Sequence, residues 1–417
     1  MLEESLKENS DFKDLIVGYD NLVLELKSKL SSVPYYFVHF SRHDKSHSEK
    51  IVQYIEMLLG EKNIRKLSSS DNIMILLSCY SHDIGMALEY RQIKELFSSS
   101  DFEEILRKSV DLSYPDLCEI VKKIINEPET YVHCGSSGLL QLYSDVEIII
   151  ENNFRKNHAS RSSDYINNSE NIKKLLGLRC TRFLSKICSL HDQDIKNILD
   201  LPYKENGLFN DYFHPRFVAA LLCLCDLLDM DTDRFDPILL KSSSDMPLLS
   251  DLHKRKHESL NHFLVENSKI EISANCSSID VYRIMQQWVD WIKNASTFMI
   301  LNWDEITPDS TIDPPKVKKC EILLNGNSKW VNFLNSRLVI DANKSINLLE
   351  GSNIYQSKFS FVKELIQNAV DSTLIQFYLD CKRISGKDSI QIADLNDLLK
   401  KNIIHINDYD ITGNWSK

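Results

Sequence analysis

Two carboxylates, Asp83 and Asp226, stand where the surrounding chain is apolar. They are the first residues in this sequence whose types and setting could do chemistry. The run from Ile73 to Tyr80 is almost unbroken hydrophobe and leads directly into His82-Asp83; Asp226 interrupts a second apolar run from Phe217 to Leu228. A carboxylate in such surroundings is costly to desolvate unless a cation compensates it. A divalent metal is the most economical compensation, which makes His82 and Asp83 candidate ligands. A helix end, with Asp83 as a cap and His82 as a satisfied core histidine, is the alternative. A third candidate, His47, shares one helical face with Ile51, Tyr54, Ile55 and Leu58 and so points inward, either as a ligand or as a structural histidine. Near the other end, Glu364, Asn368 and Asp371 fall at i, i+4 and i+7 on one helix face, covered by Leu365, Ile366, Ala369 and Val370. An acidic residue one turn from an amide suits polarising a water and holding Mg²⁺.

These groups need helices to position them. Ser46-His47-Ser48-Glu49 reads as a capping box with its N-cap at Ser46, which puts His47 in the first turn. The run from Ile73 is apolar on nearly every side and predicts a fully buried helix. From Phe102 to about Tyr165 the pattern stays helical, with breaks at Glu127-Pro128 and Gly135, consistent with a helical insertion over about 98–157. His158 and His191 follow, each unremarkable by itself. A further helix runs from Pro215, with Pro at an early position, to about Asp229; Phe217, Ala220, Leu221, Leu224 and Leu228 form its core face. Asp229, Asp231, Asp233 and Arg234 are expected in solvent at its end, or, for Asp229, behind a ligand. Helical periodicity returns from Ile279 to Leu301. Residues 1–33 read as an N-terminal helical segment and 304–350 as a linker.

The chain has 417 residues, enough for two or three domains, and 43% hydrophobic with 26% charged residues is the composition of an ordinary globular protein. Its net charge of -11 argues against a protein that coats nucleic acid without specificity. Ten cysteines without a C-x-x-C pair suggest a reduced, intracellular setting. No secretory signal pattern and no eighteen-residue apolar span is present, so a cytoplasmic protein without membrane contact is expected.

The order His47, His82-Asp83, then a distant Asp226, all in helical context, resembles the HD superfamily of metal-dependent phosphohydrolases, over roughly Pro34 to Trp303. The resemblance implies a mainly α fold with an HD-type helical bundle at 34–303. It implies His47, His82, Asp83 and Asp226 as ligands, with Asp83 bridging and His82-Asp83 at the catalytic centre. In two-metal branches additional histidines lie between the HD pair and the last Asp, the interval of His158 and His191. The donor set suits one or two ions of Mn, Fe, Co, Ni or Mg. Two ions about 3.5–4 Å apart would activate water and stabilise the leaving oxygen of a phosphoester. The Gly-Tyr-Pro signature of the cyclic-dinucleotide branch is missing.

The segment from Phe361 to Ser372 is similar to the N-box of the GHKL ATPases, the group of gyrase, heat-shock chaperones, histidine kinases and MutL. That similarity implies a partial α/β ATPase segment at 351–417, with Glu364 as general base and Asn368 and Asp371 at Mg²⁺-ATP. The Asp-x-Gly-x-Gly strand and glycine-rich lid of that family are not found before Lys417, so ATP and Mg²⁺ are expected to bind only in a completed ATPase domain, and the chain is expected to be part of a longer protein. Together the resemblances imply a phosphohydrolase acting on a nucleotide or nucleic acid and regulated by a chaperone-like ATPase, a layout similar to prokaryotic antiviral proteins. A homo-oligomer stays open. The alternative is a non-catalytic HD module that senses a nucleotide and signals to the ATPase segment.

Overall fold

The computed structural model describes residues 1–326 other than 9–11, 40, 42, 100–103, 105–114, 231–233 and 236–247, all within the unit Met1–Asn335. In chain order its helices are α1 (Leu2–Glu8), α2 (Ile16–Leu30), α3 (Lys45–Ile64), α4 (Ser69–Ser81), α5 (Tyr90–Phe97), α6 (Pro115–Asn126) and α7 (Glu129–His133). They continue with α8 (Ser136–Arg155), α9 (His158–Asn168), α10 (Glu170–Leu190), α11 (Pro215–Leu228), α12 (Leu248–Glu258) and α13 (Ile279–Leu301). The described part is mainly helical, with a short β1 (Glu205–Asn206) and β2 (Tyr212–Phe213) pair and a three-stranded sheet of β3 (Leu260–Glu266), β4 (Lys269–Cys276) and β5 (Lys316–Leu324).

The centre is α4. Its start is fixed by Ser68, whose hydroxyl accepts from the Asp71 amide at 2.9 Å. Every residue from Ser70 to Ser81 is buried, as the all-round apolar pattern requires. α1, α2, α3, α10 and α11 pack around it. Ile73, Ile75 and Leu77 are wholly removed from water, each contributing about 1.5–3 kcal/mol of burial. Its buried Asp71 accepts from the His214 amide at 2.7 Å and its ring Nδ1 at 3.0 Å, tying the first turn of α4 to the cap of α11. The Pro215 start of α11 follows from a ring already set at helical φ with no amide to satisfy.

Three sequence expectations change in the fold. α3 begins at Lys45, and Asp44, not Ser46, is its N-cap: the Asp44 carboxylate accepts from the Ser46 amide at 2.9 Å. Aspartate caps as well as serine, and His47 keeps its place in the first turn, facing inward. Residues 316–324, inside the expected linker, form β5, parallel to β4, while β3 and β4 form an antiparallel hairpin. Arg234 is buried, not solvated. Asp231, Asp233 and the whole C-terminal segment, with Glu364, Asn368 and Asp371, lie outside the described residues. Among the described residues no helix is long and apolar enough to cross a membrane.

The segment read as an insertion is anchored in the core by its last helix. Glu151 of α8 is fully buried and accepts from the His39 amide at 3.0 Å and its ring Nδ1 at 3.1 Å, just ahead of α3. Burial raises the Glu151 carboxyl above its usual range even with His39 opposing. Glu151→Ala removes one half of a buried pair and should cost about 3–5 kcal/mol of stability, with Glu151→Gln costing less. Equilibrium denaturation checks this, and a loss within about 1 kcal/mol for the alanine variant would contradict it.

Candidate metal centre

Five helix ends meet at one point. α4 and α10 end there with His82 and His191 as their C-caps, α11 ends there with Asp226, and α3 and α9 begin there with His47 and His158. Asp83 is the hub. It follows α4 with φ -103° and ψ 7°, in the sparsely used bridge region, and starts a 3-10 turn over Ile84–Met86. Gly85 in that turn donates its amide to Ser162 at 2.9 Å. A Cβ there would overlap the His158 carbonyl and the Ser162 amide, so only glycine lets α9 come this close.

Both Asp83 oxygens are used. Oδ2 lies 3.1 Å from His82 Nε2, 3.5 Å from His47 Nε2 and 2.7 Å from His43 Nδ1. Oδ1 lies 3.3 Å from His158 Nε2 and 3.6 Å from His191 Nε2. Asp226 Oδ1 is 3.1 Å from His47 Nε2. All six residues expected from the sequence as metal ligands, His47, His82, Asp83, His158, His191 and Asp226, therefore converge, and donor sets within 4.8 Å overlap through His47, His82 and Asp83.

One local device orients three of the histidines. His82 Nδ1 meets the Cys79 carbonyl at 2.9 Å, His158 Nδ1 the Arg155 carbonyl at 2.8 Å, and His191 Nδ1 the Cys188 carbonyl at 2.5 Å. In each case a histidine just past a helix end bonds the carbonyl three residues back, one of those left open by the finished helix. His47 Nδ1 donates instead to Asp229 Oδ2 at 2.6 Å. Carbonyls only accept, so the proton sits on Nδ1 and the Nε2 lone pair faces the centre. This is the outer arrangement that metal-ligating histidines require.

Without a cation the arrangement is unsatisfied. With the proton on Nδ1, the buried Nε2 atoms of His47 and His82 have no hydrogen to offer the carboxylates beside them and no hydrogen-bond partner. The Nε2 atoms of His158 and His191 are 2.9 Å apart, which sets two lone pairs against each other unless a proton or a metal lies between them. A divalent ion resolves both, so the residues present fit the group. Thiolates take no part: burial pushes the nearby Cys223 thiol up to about 12, leaving it protonated.

The electrostatics point the same way. Burial works against the Asp83 carboxylate, yet the charges of His82 and His43 and hydrogen bonds from His158 and His191 hold it well below the usual range. Asp226 is likewise held low against burial by His47. Burial and Arg234 press His47 down, but bonds to Asp226, Asp229 and Asp83 outweigh them and raise it to about 10; Asp83 raises His191 to about 9 against burial. The carboxylates thus demand positive charge at the centre, supplied by protons when metal is absent.

Two consequences follow for pH. Metal must displace those protons, so loading at neutral pH should release more than one proton per chain, and affinity should fall as pH drops. Calorimetry in buffers of different ionisation enthalpy measures the release; none would contradict the assignment. In chelator-treated protein the raised histidines stabilise the fold below their ordinary value of 6.5, and that contribution is lost as pH rises through about 9 to 10.

His43 was not predicted at the centre, and Asp229 takes the second of the two places expected for it. The sequence leaves His43, just ahead of the α3 cap, less constrained than His47, yet its Nδ1 bonds Asp83 and burial pulls it down to about 4. Its one sequence signal is its place four residues before His47. Asp229 is fully buried, and Arg234 Nε lies 3.3 Å from its Oδ2, so it is not in solvent but behind His47. Burial opposes its ionisation, but Arg234 and His47 pull it down to about 2.

In comparison with known proteins, the family model described as HD-CE matches residues 34–296. No curated protein and no solved structure matches the chain.

Proposed function

Since the chain belongs to the HD-CE family, with a domain of the HD type over 34–296, we propose that it is a metal-dependent phosphohydrolase acting on a nucleotide or a nucleic-acid phosphodiester. The observation that carries this reading is the convergence of four Nε2 lone pairs on both oxygens of one buried aspartate. A metal held there would lower the pKa of a bound water and polarise a phosphoryl oxygen. His47, His82 and Asp226 would hold one ion, and His158 and His191 a second, with Asp83 shared between them. Asp229 fixes the His47 ring, and the carbonyls of Cys79, Arg155 and Cys188 fix the other three. Regulation by the C-terminal segment, with Glu364 as base and Asn368 and Asp371 at Mg²⁺-ATP, is part of this proposal and is supported by the N-box resemblance.

The test is a turnover screen of nucleotides and of single- and double-stranded nucleic acids, with each metal, with and without ATP. Hydrolysis that a chelator abolishes and added metal restores is expected. A metal-loaded protein inert towards the whole panel would overturn the enzymatic reading.

A further inference from the structure

The short α7 and the first half of α8 form a helical hairpin whose polarity is reversed. Polar groups face inward: the buried Asp145 carboxylate accepts from the Tyr131 hydroxyl at 2.6 Å and from the Gln141 amide at 2.9 Å. Large apolar side chains face outward, with Val132 72%, Leu139 62%, Leu140 71% and Tyr143 63% exposed. Leu139, Leu140 and Tyr143 stand at i, i+1 and i+4 and share one side of α8.

The hairpin is held firmly in this form. A Cβ at Gly138 would overlap the Tyr131 carbonyl, so α7 lies directly on α8 only because glycine is there. The Lys123 ammonium of α6 stands 4.5 Å from the centroid of the Tyr131 ring, and Val121 and Ile149 make a small core of their own between α6 and α8. A fixed apolar face of this kind, left in water, marks an interaction surface.

Charge says what covers it. Residues 132–144 contain no Asp, Glu, Lys or Arg, in a chain whose net charge is -11. Copies of so acidic a chain repel where their charged faces meet, and this face spares them that cost. A partner of opposite charge would find nothing in the patch to steer it. Around the patch, exposed Lys122, Glu127 and Glu129 carry both signs, so a two-fold rotation can set unlike charges together, as a contact of one patch with itself requires.

We propose that the outer face of the α7–α8 hairpin is the contact through which two copies of this chain form a two-fold dimer. Leu139, Leu140 and Tyr143 of one copy pack on the same residues of the other, with Val132 beside them. The pairing does not depend on the hydrolase reading. At 1.5 Å per residue, Leu140 is about 22 Å along α8 from Arg155, whose carbonyl orients His158, so the patch can be altered without touching a residue of the metal centre.

The test is sedimentation equilibrium of the full chain over a range of concentrations. The wild-type chain should dimerise, and Leu140→Asp should raise the dimer dissociation constant at least about tenfold, because each copy then brings an unpaired charge into the contact. Val132→Asp should shift it in the same direction and serves if the first variant does not fold. Both positions are exposed, so circular dichroism and metal content should stay as in the wild type. Alkylation of the exposed Cys134 at the turn, read by mass spectrometry, should be slower in the wild-type dimer than in Leu140→Asp. A chain that stays monomeric because its own C-terminal segment or another protein takes the patch, a dimer indifferent to both substitutions, or equal alkylation of Cys134 in the two proteins overturns the proposal.

Discussion

Asp83→Ala should abolish metal binding and lower phosphoester hydrolysis by about a thousandfold or more, since each tenfold corresponds to about 1.4 kcal/mol and a metal supplies several kcal/mol at the reacting phosphoryl group. Asp83 touches His82, His47 and His43 through one oxygen and His158 and His191 through the other, so its removal opens both halves of the centre. The fold should survive, because α4 is held by an apolar surface that Asp83 does not contribute to. Asp83→Asn is the control, keeping shape and hydrogen bonding while removing the charge. A variant with native circular dichroism and no metal is expected; one that retains metal or activity would show that Asp83 is not the hub.

The second large effect separates the two halves. His158 and His191 share Asp83 Oδ1 and face each other across 2.9 Å, whereas His47 and Asp226 lie on the other side. His158→Ala and His191→Ala should each reduce the metal content from about two ions per chain towards about one. His47→Ala should weaken the other site, leaving the His158–His191 pair loaded. Unchanged stoichiometry in both the His158 and His191 variants would reduce these residues to structural histidines satisfied by their i-3 carbonyls.

What could be read in the sequence was what stands out from its surroundings. Asp83 and Asp226 are conspicuous because charge inside an apolar helix must be compensated, and α4, α11 and α13 because their periodicity is long and strong. His158 and His191 lacked such contrast; their meaning lies in the three-residue step back to an open helix carbonyl, visible only once the helix ends are known. His43 was hidden because it lies in irregular chain, where no periodicity says which way a side chain points. Arg234 sits among polar neighbours and reads as solvated, yet it is buried by tertiary packing that local pattern does not encode. β5 was read as linker because Lys316, Lys318 and Lys319 dilute its apolar residues, and its pairing with β4 is a long-range contact.

The central claim is that this cluster of imidazoles and carboxylates exists to hold metal. The most direct measurement is elemental analysis of freshly purified protein, followed by melting curves after chelation and after re-addition of Mn, Fe, Co, Ni or Mg. One or two ions per chain, and a melting temperature that falls on chelation and recovers on re-addition, are the predicted result. Protein that carries no metal and whose melting temperature is indifferent to every ion would contradict it.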